Sequence, residues 1–194
     1  MPAPSAVFPD YYLAPADRGL AAELQAFHEA NPQYWWLTHG HAPAADDAAT
    51  AFDKGPPAHM SFRAHPWSWA RDCRTNAILG QFRYVVDLMA PGVWHLGFFM
   101  VDSRLHGTGF ALDLYERYEA LAVAGGARWL RLAVVEANPR ARRFWARRGY
   151  VDLRHAAGIV LGDMAHVQFI MIKTLGANTL ADYLDAVPHD AANC

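Results

Sequence analysis

The stretch 93–135, VWHLGFFMVDSRLHGTGFALDLYERYEALAVAGGARWLRLAVV, decides how this chain folds. Its first nine residues, Val93–Val101, are apolar and aromatic enough for a strand. Two glycines, Gly107 and Gly109, then stand two positions apart. From about residue 107 to 124 the periodicity is helical. Ala111, Leu114, Tyr115, Tyr118, Leu121 and Ala122 form one stripe, with Asp113, Glu116, Arg117 and Glu119 opposite. Gly125-Gly126 stops that helix, and RWLRLAVV (128–135) reads as another strand. A strand–helix–strand crossover implies a parallel strand pair joined with right-handed connectivity.

The pattern extends in both directions. Asn138-Pro139 caps and starts a helix to about Arg148, since proline suits the first helical position, and Gly149 ends it. YVDLRHAAGI and HVQFIMIKTL alternate as two strands, and TLADYLDAV is a short terminal helix. Upstream, residues 17–30 read as a helix with Leu20, Leu24 and Phe27 on one face, closed by Asn31-Pro32. YWWLTHG (34–40) is expected to be a short strand, and PAADDAATAF a short helix before Gly55-Pro56-Pro57. Two strands are expected around HMSFRAHPW and AILGQFRYVVDLM, leaving Trp67–Asn76 between them unassigned. The order is mixed α/β, a mixed sheet flanked by helices, in a single domain over 1–194.

Composition narrows the function. With 53% hydrophobic and 19% charged residues the chain is globular. A net charge of −2 gives no global reason to expect nucleic acid. The charge is uneven: seven arginines and one acid, Glu136, lie between Arg128 and Arg148, while the first sixty residues lean acidic. Cys73 and Cys194 make neither a disulfide framework nor a metal spacing, and HGH (39–41) has no third partner at ligand spacing, so no metal is expected. No apolar run approaches the roughly 20 residues of a membrane helix, and MPAPSAVFPD has no signal-peptide pattern. The expectation is a cytoplasmic protein with no membrane partner.

A glycine turn opening a helix suits an anion, because free N–H groups and the helix dipole converge there. Leu112 stands where a dinucleotide fingerprint needs its third glycine, and Gly-Lys-Ser/Thr is missing, so neither common nucleotide loop fits. What remains is Arg104-Leu105-His106-Gly107-Thr108-Gly109, R-x-x-G-x-G. Downstream, NPRARRFWARRGY (138–150) reads N-x-x-A-x-x-F-W-x-x-x-G-Y. Together the two motifs resemble the GNAT superfamily of acyl-CoA-dependent N-acyltransferases, over about residues 77–174.

The resemblance implies a sheet splayed between its fourth and fifth strands, with acetyl-CoA as cosubstrate and coenzyme A as product. Arg104, His106, Gly107, Thr108, Gly109 and Phe110 would seat the pyrophosphate. Phe99, Met100 and Val101 would hold the pantetheine arm, with Asn138 facing it, and Trp145 would pack against that arm or the core. The arginines of 140–148 lie close enough in sequence to help at the 3′-phosphate, although five arginines on one short helix are more often a solvated face. Residues 1–76 would form the acceptor side for a small-molecule or peptide amine, and a homodimer is allowed. Trp35, Trp36, Trp67, Trp69 and Trp94 either line an aromatic acceptor pocket or fill the core.

The chemistry expected is direct attack of a neutral amine on the thioester. A backbone N–H near Met100 would face the oxygen that gains charge. The family's usual acid, a tyrosine, is Trp145 here, and an indole is no acid at neutral pH. Tyr150 is the remaining candidate acid. His95 is the first candidate base, on a strand face shared with Gly97 and Phe99, and Glu136 is the second. A non-catalytic acyl-CoA sensor on the same fold is the rival reading.

Overall fold

The computed structural model describes residues 8–191. Strands β1 (Tyr11–Pro15), β2 (Trp67–Asp72), β3 (Ile78–Val86) and β4 (Val93–Val101) form an antiparallel array. Between β1 and β2 come α1 (Ala21–Ala30), α2 (Gln33–Thr38) and α3 (Asp47–Ala51). After β4 the chain runs through α4 (Phe110–Ala124), β5 (Trp129–Val135) and α5 (Pro139–Arg147). The hairpin β6 (Val151–Leu161) and β7 (Met164–Thr174) then leads to α6 (Leu180–Ala186) and α7 (Pro188–Ala191). The sheet order is β1-β2-β3-β4-β5-β7-β6, and among the described residues it is parallel only at β4–β5.

Two local expectations are corrected. YWWLTHG is the helix α2, not a strand. Pro32 at φ −70° begins a new helical turn, and burying Trp35 (3% exposed) against Leu24 and Phe27 outweighs the strand preference of three successive aromatics. The strand expected around HMSFRAHPW begins only at Trp67, so the unassigned segment holds β2. Before it, Ala64 makes a single bridge to Val86. Strand β1 carries Pro15 at the sheet edge, where a missing N–H costs nothing.

Helices cover both faces. On one, Phe110, Leu114, Tyr115, Tyr118 and Ala122 of α4 and Trp145 of α5 pack on Phe82, Trp94, Leu96, Leu130 and Leu132. On the other, α1–α3 cover Trp69, Ile78 and Met100, while Tyr183 and Val187 close over Val93, Trp129 and Ile172. Trp35, Trp69 and Trp94 are therefore core, and Trp36 is 58% exposed.

Two irregularities in β4 position the site. First, β4 and β5 pair over only four residues, Val93–Leu96 against Trp129–Leu132. Beyond that, β4 continues along β3 to Val101 and β5 continues along β7 to Val135, so the two strands splay. Second, Tyr84 pairs with Leu96 but Arg83 with Phe98, which makes Gly97 a bulge. One extra residue reverses the alternation. Trp94 and Leu96 share a face with Phe99 and Val101, and Val93 with Phe98 and Met100.

Candidate active site

Splaying leaves one edge of β4 without a strand partner from Gly97 onward. The cleft there has a volume of about 310 Å³. Phe99, Met100 and Val101 line it from β4, and His106 from the glycine turn. Asn138, Arg140, Phe144 and Trp145 line it from α5 and its cap, and Tyr34 and Leu37 from α2. Three sequence segments predicted to act together thus meet in one cavity, and α2 adds a wall that local propensity would make a strand.

The glycine turn is built for close approach. Gly107 and Gly109 sit at φ +83° and +94°, and a Cβ on Gly107 would meet nothing within 4 Å. The left-handed backbone is the requirement there, and the space above it is open. Thr108 stabilises the turn, its Oγ1 donating to Leu105 O at 2.8 Å and accepting from Phe110 N at 3.3 Å. The Phe110 side chain is fully buried, so only its backbone belongs to the turn. Of the first-turn N–H groups of α4, that of Phe110 is taken by Thr108 and that of Leu112 donates to Gly109 O at 3.0 Å.

Two arginines near this turn differ. Arg104 folds back on its own Asp102, with Nη2 at 2.5 Å and Nε at 3.0 Å from the two carboxylate oxygens. Burial opposes charge on Asp102, yet the Arg104 hydrogen bonds hold its pKa below the usual value. Arg140 instead stands 3.4 Å from His106 Nδ1 at the cleft wall. Burial, then the Arg140 charge, lowers the His106 pKa. Of the other α5 arginines, Arg142 pairs with Asp152 and lies over Phe169, and Arg148 at the helix end lies over Phe144. Arg140 alone among the described arginines lines the cleft.

Asn138 caps α5 by accepting from Ala141 N at 3.0 Å through Oδ1. That bond uses the carbonyl of its amide and leaves the NH₂ for a ligand in the cleft. Trp145 is 7% exposed and packs edge-on against Phe99 at 5.4 Å, Tyr115 at 5.5 Å and Tyr150 at 5.8 Å. Tyr150 is 2% exposed and absent from the cleft wall. Burial, then the neighbouring Tyr115, drives the pKa of its hydroxyl well above the tyrosine value. The candidate acid Tyr150 thus does not line the cleft. Core packing between α4 and α5 takes its ring.

The candidate bases also separate. Glu136 is exposed at the end of β5, its N–H bonded to Val167 O at 2.8 Å. His95 lies among the last paired residues of β4. The bulge puts it on the face opposite Phe99, which corrects the expectation of a shared face. Its Nδ1 is 3.2 Å from Arg131 Nη1 on β5. Burial, then the Arg131 charge, pushes the His95 pKa to about 3, against an opposing pull from Asp190. The imidazole is neutral at physiological pH and only a feeble base.

Comparison with known proteins now joins this geometry. The family model described as "Acetyltransferase (GNAT) family" matches residues 22–150. The chain belongs to the GNAT acetyltransferase family. Among curated proteins, none matches the sequence. Solved GNAT-type structures share the fold at low identity. An acetyltransferase from Thermus thermophilus superposes with a TM-score of 0.67 at 17% identity, covering 88% of this chain and 99% of that one. A GNAT acetyltransferase from Streptococcus pneumoniae gives 0.60 at 19%, covering 86% and 100%. Spermidine N-acetyltransferase from Vibrio cholerae, in complex with CoA and spermine, gives 0.62 at 16%, covering 84% and 95%. No helix among the described residues is long and apolar enough to cross a membrane.

Proposed function

We propose that this protein is an N-acetyltransferase that moves the acetyl group of acetyl-CoA to a primary amine, acting as one domain in the cytoplasm. The observation that carries the reading is that the free β4 edge, His106 at the start of the glycine turn, and Arg140 line one cleft. These residues fit an anionic ligand with a long amide-bearing arm. The turn offers N–H groups and open space, Arg140 offers charge, and the free β4 edge offers backbone partners as to an added strand. Acetyl-CoA supplies an activated acetyl thioester.

The rest is the work of this chain's residues. Gly107, Thr108, Gly109 and the Phe110 backbone cradle the pyrophosphate, with Arg140 rather than Arg104 adding the neutralising charge. Phe99–Val101 and Asn138 align the arm, and Trp145 and Phe99 keep water from one wall. A backbone N–H near Met100 faces the oxygen that becomes negative. The amine enters from the α2 side, past Tyr34 and Leu37. Its proton leaves to water or Glu136. A thiol of pKa about 8.5 is a good enough leaving group to need little acid help, so the missing tyrosine does not stop turnover.

Trp145 at the usual acid position, with Tyr150 buried, favours one alternative, an acyl-CoA sensor without transfer activity. The experiment is to mix protein, acetyl-CoA and a panel of polyamines, amino acids and aryl amines, and to follow free thiol. Thiol release with at least one amine supports transfer. Thermal stabilisation by coenzyme A with no thiol from any amine supports the sensor, and no stabilisation at all defeats both.

A further inference from the structure

We propose that His95 is a hydrogen-bond donor to a ligand oxygen at the mouth of the β4–β5 gap, and that Arg131 and Asp190 are the residues that hold it in that form. The argument begins with Arg131. A guanidinium only donates and does not lose its proton in proteins. Its Nη1 lies 3.2 Å from His95 Nδ1, so Nδ1 must present a lone pair. In the neutral ring the proton is then on Nε2. That nitrogen lies on the Gly97 side, 3.9 Å from where a Gly97 Cβ would stand. Gly97 is exposed and is the first residue of β4 beyond the β5 ladder. The N–H therefore lies beside Gly97, where the β4–β5 ladder ends, on the sheet face opposite Phe99.

Arg131 is not free to turn away. Asp190 of α7, fully buried, accepts from Arg131 Nε at 2.8 Å and Nη2 at 3.2 Å. The same carboxylate accepts from Arg154 Nε of β6 at 2.9 Å and from the Tyr183 hydroxyl of α6 at 2.5 Å. Four elements thus fix one guanidinium, and its remaining nitrogen fixes one imidazole. Such multiply bonded buried charges hold their geometry because breaking one bond strands a charge. The titratable groups facing His95 through this network are Arg131, Asp190, Arg154 and Tyr183. Nε2 already carries a proton, and protonating Nδ1 would break the Arg131 bond. The ring can therefore donate to an oxygen but cannot take the ammonium proton of a substrate.

The test has a structural and a kinetic arm on the intact protein. Long-range ¹H–¹⁵N spectra of the imidazoles should show His95 as the Nε2–H tautomer, unchanged over roughly pH 5 to 8. A His95 protonated at Nδ1, or titrating in that range, overturns the proposal. In the thiol-release assay, His95→Ala should lower kcat about a hundredfold, the scale of losing one positioned donor. His95→Gln, whose amide keeps an N–H at the same reach but cannot act as a base, should stay within about fivefold of wild type. Equal losses in the two variants overturn the donor role. Asp190→Asn should disturb the His95 nitrogen signals and lower kcat while leaving KM for acetyl-CoA unchanged. Unaltered signals remove Asp190 and Arg131 as positioning residues. If Asp190→Asn fails to fold, the wild-type spectrum and the two His95 variants still decide. The kinetic arm rests on the acetyl-transfer reading. Absence of thiol from wild type would defeat that reading, while the tautomer would still be settled by the spectra.

Discussion

Two regions meet where the β4–β5 ladder ends, and they are built by different means. The wall proposed to hold the cofactor is local in sequence: a strand edge, a six-residue turn and an asparagine cap, all within residues 99–145. The wall that carries His95 is assembled at long range, from Arg131, Arg154, Tyr183 and Asp190 on four separate elements. Backbone geometry makes the first, and buried side-chain charge makes the second. The first should therefore break as lost affinity and the second as lost stability.

The largest effect is expected on the long-range wall. Asp190→Ala strands Arg131 and Arg154 and should destabilise the fold by about 3–5 kcal/mol, measured by denaturant unfolding. Its pH dependence has a definite sign. Burial opposes the charge of Asp190, but the Arg131 hydrogen bond and charge hold its pKa far below the carboxylate norm. The unfolded chain thus takes up the proton first as acid is added. The stabilisation is complete above about pH 5 and drains away as pH falls below about 4, towards the depressed folded value. Asp190→Asn should lose that acid-sensitive component, and a variant with wild-type acid sensitivity would contradict the assignment.

On the local wall, Gly107→Val forces a β-branched residue to φ +83° and puts bulk into the open approach. Coenzyme A affinity should fall at least about a hundredfold by calorimetry, with thermal stability shifted by no more than about 1–2 kcal/mol. Arg140→Gln should weaken both coenzyme A and its 3′-dephospho form about tenfold, the scale of one charge-assisted contact. Loss confined to coenzyme A would move Arg140 to the 3′-phosphate. Arg104→Gln should stay within about twofold, because its guanidinium already serves Asp102. The smallest effect is expected at Trp145→Phe. It keeps an aromatic against Phe99 and Tyr115, so turnover within about threefold of wild type would show that the indole N–H is not part of the chemistry.

The same division explains what the sequence revealed. Val93–Val101, the glycine turn, Asn138-Pro139 and the last hairpin were legible because each is signalled by neighbouring residues: periodicity, a φ-positive glycine, a cap. The helix around Tyr34 was not, since its aromatics favour a strand and only packing against α1 decides otherwise. Nor was the opposition of His95 and Phe99. Simple alternation puts them on one face, and only the register against β3 shows that Gly97 is skipped. Arg131 and Asp190 are 59 residues apart, and an arginine inside an apolar strand was the one available sign that a buried carboxylate awaited it.

The brevity of the β4–β5 ladder also bears on how the chain reaches this shape. Strands β1–β4 come from residues 11–101 and β5–β7 from 129–174, so each half-sheet is a contiguous antiparallel piece. Only four residue pairs join the pieces, and the chain crosses between them once, through α4. Three of the six pairings, β2–β3, β3–β4 and β6–β7, close over short loops, which favours rapid closure of those hairpins. The step expected to come late is the joining of the two half-sheets along a stub of parallel pairing. The opening between β4 and β5 is thus also the seam at which the two half-sheets meet.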